Sequence, residues 1–340
     1  MAEALARRRA RLARRSLALR DLVVAPGLSA VYRKELADQL GSRRFAILFV
    51  LILFAALSSV YVAANAIRDA LEQASADAPA HTFLLLFTVA QDPLPPFYQF
   101  LSFLAPLVGI ALGFDAINSE QERGTLARLL AQPIYRDSVI NGKFLARLTT
   151  VVVMLVSITV LVGAIGIYRL GIVPTGEEVA RLVAFLAVAA LFVGFWVAIS
   201  MAFSVYMRQP ATAALAGIAT WLFATFFLGM IVDTLANAVI AAGAIADVDA
   251  YVGLQNLRLT LARLSPNTLF AESTLALLLP RVRTLGLILP QQTIGMIPNP
   301  LALGQSLLLI WPQVVSLLAL TAFCFAAAYI RFMRAEVRSL

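Results

Sequence analysis

Side chains able to carry bond-making chemistry are scarce in this chain. One histidine, His81, and one cysteine, Cys324, stand among 340 residues. Zinc sites and nucleophile–base pairs need such groups in clusters, so the common His- and Cys-based metal and hydrolytic patterns are excluded. Cys324 has no partner for an internal disulfide and leaves the redox compartment open. A membrane-embedded carboxylate pair is missing too, because Asp115 and Asp233 sit at the ends of different apolar runs. Gly142-Lys143 is not a phosphate loop: Asp137 stands where the leading glycine belongs, and no Ser or Thr follows. What remains is the polar stretch from Asp115 to Lys143, with Glu120, Glu122, Arg123, Arg128 and Arg136 between them. The chemistry open to such a stretch is contact with a water-soluble partner, through charge and a few leucines.

An oily body must hold that stretch. The chain is 61% hydrophobic and only 14% charged, against about 25% charged in an ordinary soluble domain. Its apolar runs are continuous and reach the roughly 20 residues that cross a bilayer. Barrel strands would alternate instead. The fold class is therefore an all-α integral membrane protein with six spans. They are read at Arg43–Ala64, Phe97–Ile117, Lys143–Ile167, Val179–Tyr206, Pro210–Val232 and Gln305–Ile330. Pro312 is expected to bend the last one.

The span centres hold essentially no ionisable group. Ser157, Thr159, Ser200, Ser204, Thr220 and Thr225 read as helix-packing groups, and Gly109, Gly113, Gly163, Gly166, Gly194 and Gly217 as points of close approach. An ion-coupled carrier usually buries charge at mid-span, so it is the second reading rather than the first.

The net charge is +8 and the pI about 10.1. No aromatic-interleaved basic module accompanies it, so nucleic acid is not an expected partner. Lys and Arg collect instead on one side of the spans, twenty against seven. The excess places both termini and the 115–143 loop in the cytoplasm of a plasma-membrane protein. Residues 1–42 form a basic segment, suited to anionic lipid, and an interfacial elbow helix. Asp21, Pro26 and Gly27 interrupt the apolar stretch that an export signal would need. In the elbow, Leu28, Val31, Tyr32, Leu36 and Leu40 share one face. Residues 43–232 carry spans one to five, and residues 305–340 the sixth span and its tail. The extracytoplasmic segment 233–304 is read as a cap of short helices, over Leu235–Ala246, Leu254–Leu264 and Thr268–Leu279. Residues 65–96 form a second outer segment.

Within the loop, Gly124 is a helix stop. Thr125 can cap a helix over Leu126–Ala131, Pro133 ends it, and Asp137 or Ser138 can cap the helix of the third span. Leu126, Leu129, Leu130 and Ile134 make an apolar knob with a charged rim. Composition alone leaves two readings of the knob: a protein contact, or leucines resting on the bilayer surface.

Glu120-Gln-Glu-Arg-Gly-Thr-Leu126, then Leu129-Leu-Ala-Gln-Pro-Ile-Tyr-Arg136, then Gly142-Lys143, resembles the signature loop of the ABC type-2 permeases. Within that family the loop is most similar to permeases of the multicopper-enzyme-maturation and gliding-type exporter group. Leu264-Ser-Pro-Asn-Thr-Leu-Phe270 resembles the Ser-Pro that precedes the last span there. The resemblance implies a permease subunit of an exporter, with no catalytic residues, cofactor or metal of its own. It implies two separate ATP-binding subunits, and a second permease subunit in a homo- or heterodimer. The coupling residues it implies are Glu120, Glu122, Arg123, Gly124, Thr125, Leu126, Leu129, Leu130, Pro133, Arg136, Gly142 and Lys143. A non-transporting scaffold that recruits an ATPase would carry the same loop. The substrate is unspecified beyond an amphipathic or lipidic character.

Overall fold

The computed structural model describes residues 26–73, 81–90, 94–126, 131–132, 134–241, 248–285 and 300–335. Among them, six helices are long and apolar enough to cross a membrane: Arg43–Ala70, Phe97–Glu122, Arg136–Leu170, Gly176–Tyr206, Pro210–Val239 and Leu303–Arg334. The all-α architecture follows from the solvent that such runs require. Lipid offers no hydrogen bonds, so each span must satisfy its own backbone, and a helix does so within one segment.

In chain order the helices are α1 (Pro26–Leu40), α2 (Arg43–Gln73), α3 (Thr82–Thr88), α4 (Phe97–Gly113), α5 (Asn118–Glu122), α6 (Arg136–Leu170) and α7 (Gly176–Tyr206). Then come α8 (Pro210–Leu222), a π-helical turn (Phe223–Phe227), α9 (Leu228–Ala241), α10 (Val248–Ala262), α11 (Pro266–Leu278) and α12 (Leu303–Arg334). The central post is α7, against which α12, α4, α6, α11 and α8 pack. Its Phe185, Phe192 and Trp196 are fully buried.

Small residues set how closely the spans approach. A Cβ on Gly109 of α4 would lie 2.5 Å from the Trp196 Cβ, and one on Gly113 would lie 2.8 Å from the Ser200 Cβ. Gly217 of α8 faces Ile110 and Gly194 of α7 faces Leu148 in the same way. The expected packing role of these glycines therefore holds. Phe54 of α2, Leu215, Phe226 and Met230 of the fifth span, and Leu308, Trp311 and Phe323 of α12 stay exposed. In a bilayer such faces meet acyl chains or another apolar surface instead of water.

The structure departs from the sequence reading at three places. Leu235–Ala246 was expected as a separate short helix, but Leu235 to Ala241 continue the fifth span without a break. Asp233 lies inside that helix and pairs with Arg258, with Nε to Oδ1 at 2.8 Å. Between the first two spans, α3 is a buried plug whose Phe83 and Leu86 occupy the space left by Gly163 and Gly166 of α6. Finally, α6 starts at Arg136, with Tyr135 at the cap. Asp137 lies inside its first turn and accepts from the Ser138 N–H at 2.7 Å, where a carboxylate suits the helix dipole. The helix α12 is continuous through Pro312. The Arg-rich stretch before residue 26 lies outside the described residues.

Candidate functional site

The loop end of the bundle is built from α1, the turn after α4, α5 and the start of α6. The chain leaves α4 at Gly113 and turns through Phe114–Ile117. No side chain of that turn caps α5. Ser204 of α7 supplies the acceptor instead: its Oγ receives the N–H of Ile117 at 2.9 Å and of Asn118 at 3.2 Å. Gly124 then reverses the chain with φ +66°, the left-handed region that favours glycine, and no atom crowds its missing side chain. The Thr125 hydroxyl donates back to the Glu120 carbonyl at 3.3 Å.

Behind this turn lies an ion cluster. Lys143 is 2% exposed and stands between two carboxylates, with Nζ 2.7 Å from Glu35 Oε1 and 2.8 Å from Glu120 Oε1. One turn on, Arg147 reaches Glu35 Oε2 at 3.5 Å, the Leu112 carbonyl at 2.6 Å and the Lys143 carbonyl at 2.9 Å. Two cations and two carboxylates cancel locally, as buried charge requires. Burial alone would raise the Glu35 carboxyl. The charges of Lys143 and Arg147, the hydrogen bond from Lys143 and the charge of Lys34 together outweigh it, and hold Glu35 below the ordinary glutamate range.

Glycine lets α1 come close enough for these bonds. A Cβ on Gly142 would lie 2.9 Å from Val31 Cγ1 and 3.3 Å from the Tyr32 nitrogen. One on Gly27 would lie 2.8 Å from Ile134 Cγ2. The Tyr32 hydroxyl adds a bond to Thr149 Oγ1 at 3.1 Å. At the rim, Arg44 pairs with Asp115, and its guanidinium lies 5.2 Å from the Phe114 ring centre. Arg136 donates to the Ala335 carbonyl at 2.9 Å, which anchors the end of α12.

The residues singled out from sequence thus divide. Glu122, Arg123, Gly124 and Thr125 are exposed at the turn. Glu120, Gly142 and Lys143 face inward and meet one another or α1. Leu126 is buried in the hydrophobic core, and Ile134 packs on Gly27, so neither is offered outward. Leu129, Leu130 and Pro133 lie outside the described residues. Sequence reasoning missed Glu35, Arg147 as a site residue, and Ser204 as a cap. Glu35 carried a readable signal, since it lies on the apolar face of α1, four residues after Val31 and three after Tyr32.

A family model described as ABC-2 family transporter protein matches residues 29–337. The chain belongs to the ABC-2 transporter family. It is 30% identical over 201 residues to the probable ABC transporter permease protein NosY of Pseudomonas aeruginosa, which covers 58% of this chain and 66% of that protein. It is 26% identical over 217 residues to the protein of the same name from Stutzerimonas stutzeri, with 63% and 71% covered. The match thus spans just under two thirds of the first relative's length. Permeases of this family in general work with ATP-binding partner subunits, and the chain is a multi-pass membrane protein of the family.

At the opposite end the permease is tied differently. Arg181 of α7 is fully buried and donates to the Leu277 carbonyl at 3.1 Å, the Ser306 hydroxyl at 3.2 Å and the Leu301 carbonyl. Glu178 closes a capping box with Thr175 and accepts the Phe83 N–H at 3.0 Å, which seats α3. The Ser-Pro-Asn motif before the last span docks on the π-helical turn of the fifth. Ser265 donates to the Ala224 carbonyl at 3.0 Å and Asn267 to Thr225 Oγ1 at 2.7 Å. Pro266 starts α11, and Phe270 stacks on Phe192 with ring centres 4.4 Å apart.

Proposed function

We propose that this chain is the permease subunit of an ABC exporter, paired with a second permease subunit and driven by two separate ATP-binding subunits. The force enters at the exposed turn Glu122–Thr125, which seats on the ATP-binding partner from the cytoplasmic side. One observation carries the reading. An exposed charged turn is backed directly by a buried ion cluster, so a push on the turn reaches α1, α4 and α6 instead of bending a loose connector. These 340 residues hold no phosphate loop, which supports nucleotide binding by a partner subunit.

Co-purification from the native membrane tests the proposal. The wild-type chain should carry an ATP-hydrolysing subunit. Glu122→Lys, which reverses charge on an exposed residue without touching the buried cluster, should weaken that association at least tenfold or uncouple hydrolysis. Normal association and coupling in that variant would refute the assignment of the turn.

A further inference from the structure

We propose that Lys143 is a positioning residue that latches α1 to the loop, so that α1, α5 and the inner end of α6 move as one rigid body when the turn is pushed. This rests on the coupling reading above and adds a division of labour to it. The resemblance implies one patch of coupling residues, but the geometry separates two. Glu122 to Thr125 are free for a partner. Glu120 and Lys143 are spent on each other and on Glu35, and Gly142 is filled by Val31.

Three independent features make the latch rigid. Lys143 is nearly inaccessible and bonds two carboxylates on different helices at 2.7 and 2.8 Å, so no single rotation of its side chain keeps both. Arg147 holds the second oxygen of Glu35 and also the Leu112 carbonyl of α4, which ties the same carboxylate to the span that delivers the loop. At Gly142 and Gly27 the space beside the glycine is filled by Val31 and Ile134, so α1 packs directly on α6 and on the preceding loop. The links join residues 35, 120 and 143, far apart in sequence, so the loop reads its position from α1 as well as from its own spans.

A cross-link in place of the ion pair provides the test. A Cβ on Gly27 would sit 3.4 Å from the Ile134 Cβ, close to the roughly 3.5–4.5 Å of a disulfide. The full chain with Cys324→Ser, in lipid nanodiscs with its ATP-binding subunits, is followed by hydrogen exchange with and without ATP and vanadate. Lys143→Met should speed exchange of the α1 amides at least tenfold and abolish the nucleotide-driven change in α4, with the partner still bound. Lys143→Arg should restore part of both. The Gly27→Cys/Ile134→Cys disulfide should leave the nucleotide-driven change within twofold in the otherwise wild-type chain and restore it in Lys143→Met. Unchanged α1 exchange in Lys143→Met overturns the latch, as does a disulfide that abolishes the nucleotide response of the wild type. Exchange of α1 is read without nucleotide on the chain alone, so it distinguishes a false latch from a false coupling reading. If the wild type shows no nucleotide response, the coupling reading itself fails. If the double-cysteine chain does not assemble, Glu35→Gln serves instead: it should match Lys143→Met in α1 exchange, and wild-type exchange there overturns the latch.

Discussion

Replacing Gly109 by Ala should loosen the bundle, although the same change elsewhere in a helix strengthens it. The new Cβ would lie 2.5 Å from the Trp196 Cβ, 3.0 Å from the Val193 carbonyl oxygen and 3.1 Å from the Trp196 carbonyl carbon. Carbon–carbon contact is comfortable at about 3.5–4.0 Å, so α4 and α7 must part by about 1 Å. Two of the three obstacles are backbone and the third is a Cβ, so no side-chain rotation relieves them. Forcing an extra carbon into a packed site of this kind costs about 1–3 kcal/mol. Gly229 of α9 is the control, because a Cβ there meets nothing within 4 Å. Gly229→Ala should gain about 0.5–1 kcal/mol from the stiffer helix backbone. The two variants should therefore differ by about 1.5–4 kcal/mol, or roughly 2–6 °C in midpoint for a chain of this size. Thermal unfolding in one lipid nanodisc preparation, followed by fluorescence size exclusion, reads the difference directly. Equal midpoints for Gly109→Ala and Gly229→Ala would refute the claim that α4 and α7 meet at a close-packed glycine contact.

Arg181→Met should cost about 1–3 kcal/mol for each buried carbonyl left without its donor, and Arg181→Lys should rescue little because a single ammonium cannot replace the fork; detergent-resistant yield reads both. Glu35 has a lowered folded-state pKa, so its stabilisation is complete above the ordinary glutamate range of about 4.3 and is lost as pH falls through the lower folded value. Unfolding midpoints of the wild type should accordingly decline below that range, and Glu35→Gln should lower the neutral-pH midpoint and flatten the acid decline. Gly124→Ala, forced to a φ of +66°, should cost about 1 kcal/mol at an exposed turn, seen as weaker partner binding with the core midpoint unchanged. Spin labels on Leu215 and Val153 should show a larger nucleotide-driven distance change than labels on Ile47 and Val153; equal changes would show that the fifth span does not move apart from the others.

The spans were legible because lipid selects for run length and for little else. The turn at Gly124 was legible for a similar reason, since a glycine after a charged helix end has few other uses. Glu35 and Lys143 are separated by 108 residues, and no local pattern names one charge as the partner of the other. Gly142 was visible as a letter of the motif, but its purpose depends on Val31 of another helix. The plug α3 was missed because Thr82–Thr88 is too short to span or to show a helical period, and its burial depends on Gly163 and Gly166 of α6. For Leu126 and Ile134 the limit is related: hydrophobicity marks them as needing cover without saying whether a partner or their own chain supplies it, and here their own chain does.

The polar ties at the loop end join elements that are far apart in sequence. Asp115 holds α2 through Arg44, and Arg147 holds α4 through the Leu112 carbonyl. Lys143 belongs to α6, Ser204 caps α5 from α7, and Arg136 grips the end of α12. Each bond is local, yet together they bind every span but one to the segment that carries the exposed turn. Among the described residues, the fifth span has no polar bond to that segment. Its bonds lie at the opposite end, to Arg258, Ser265 and Asn267, and they cluster on and beyond a π-helical turn, where the regular helix ladder is already interrupted. The push proposed above would therefore meet five spans fastened as a group and the fifth span held from the far side. The compliance of the bundle must concentrate at the boundary between them.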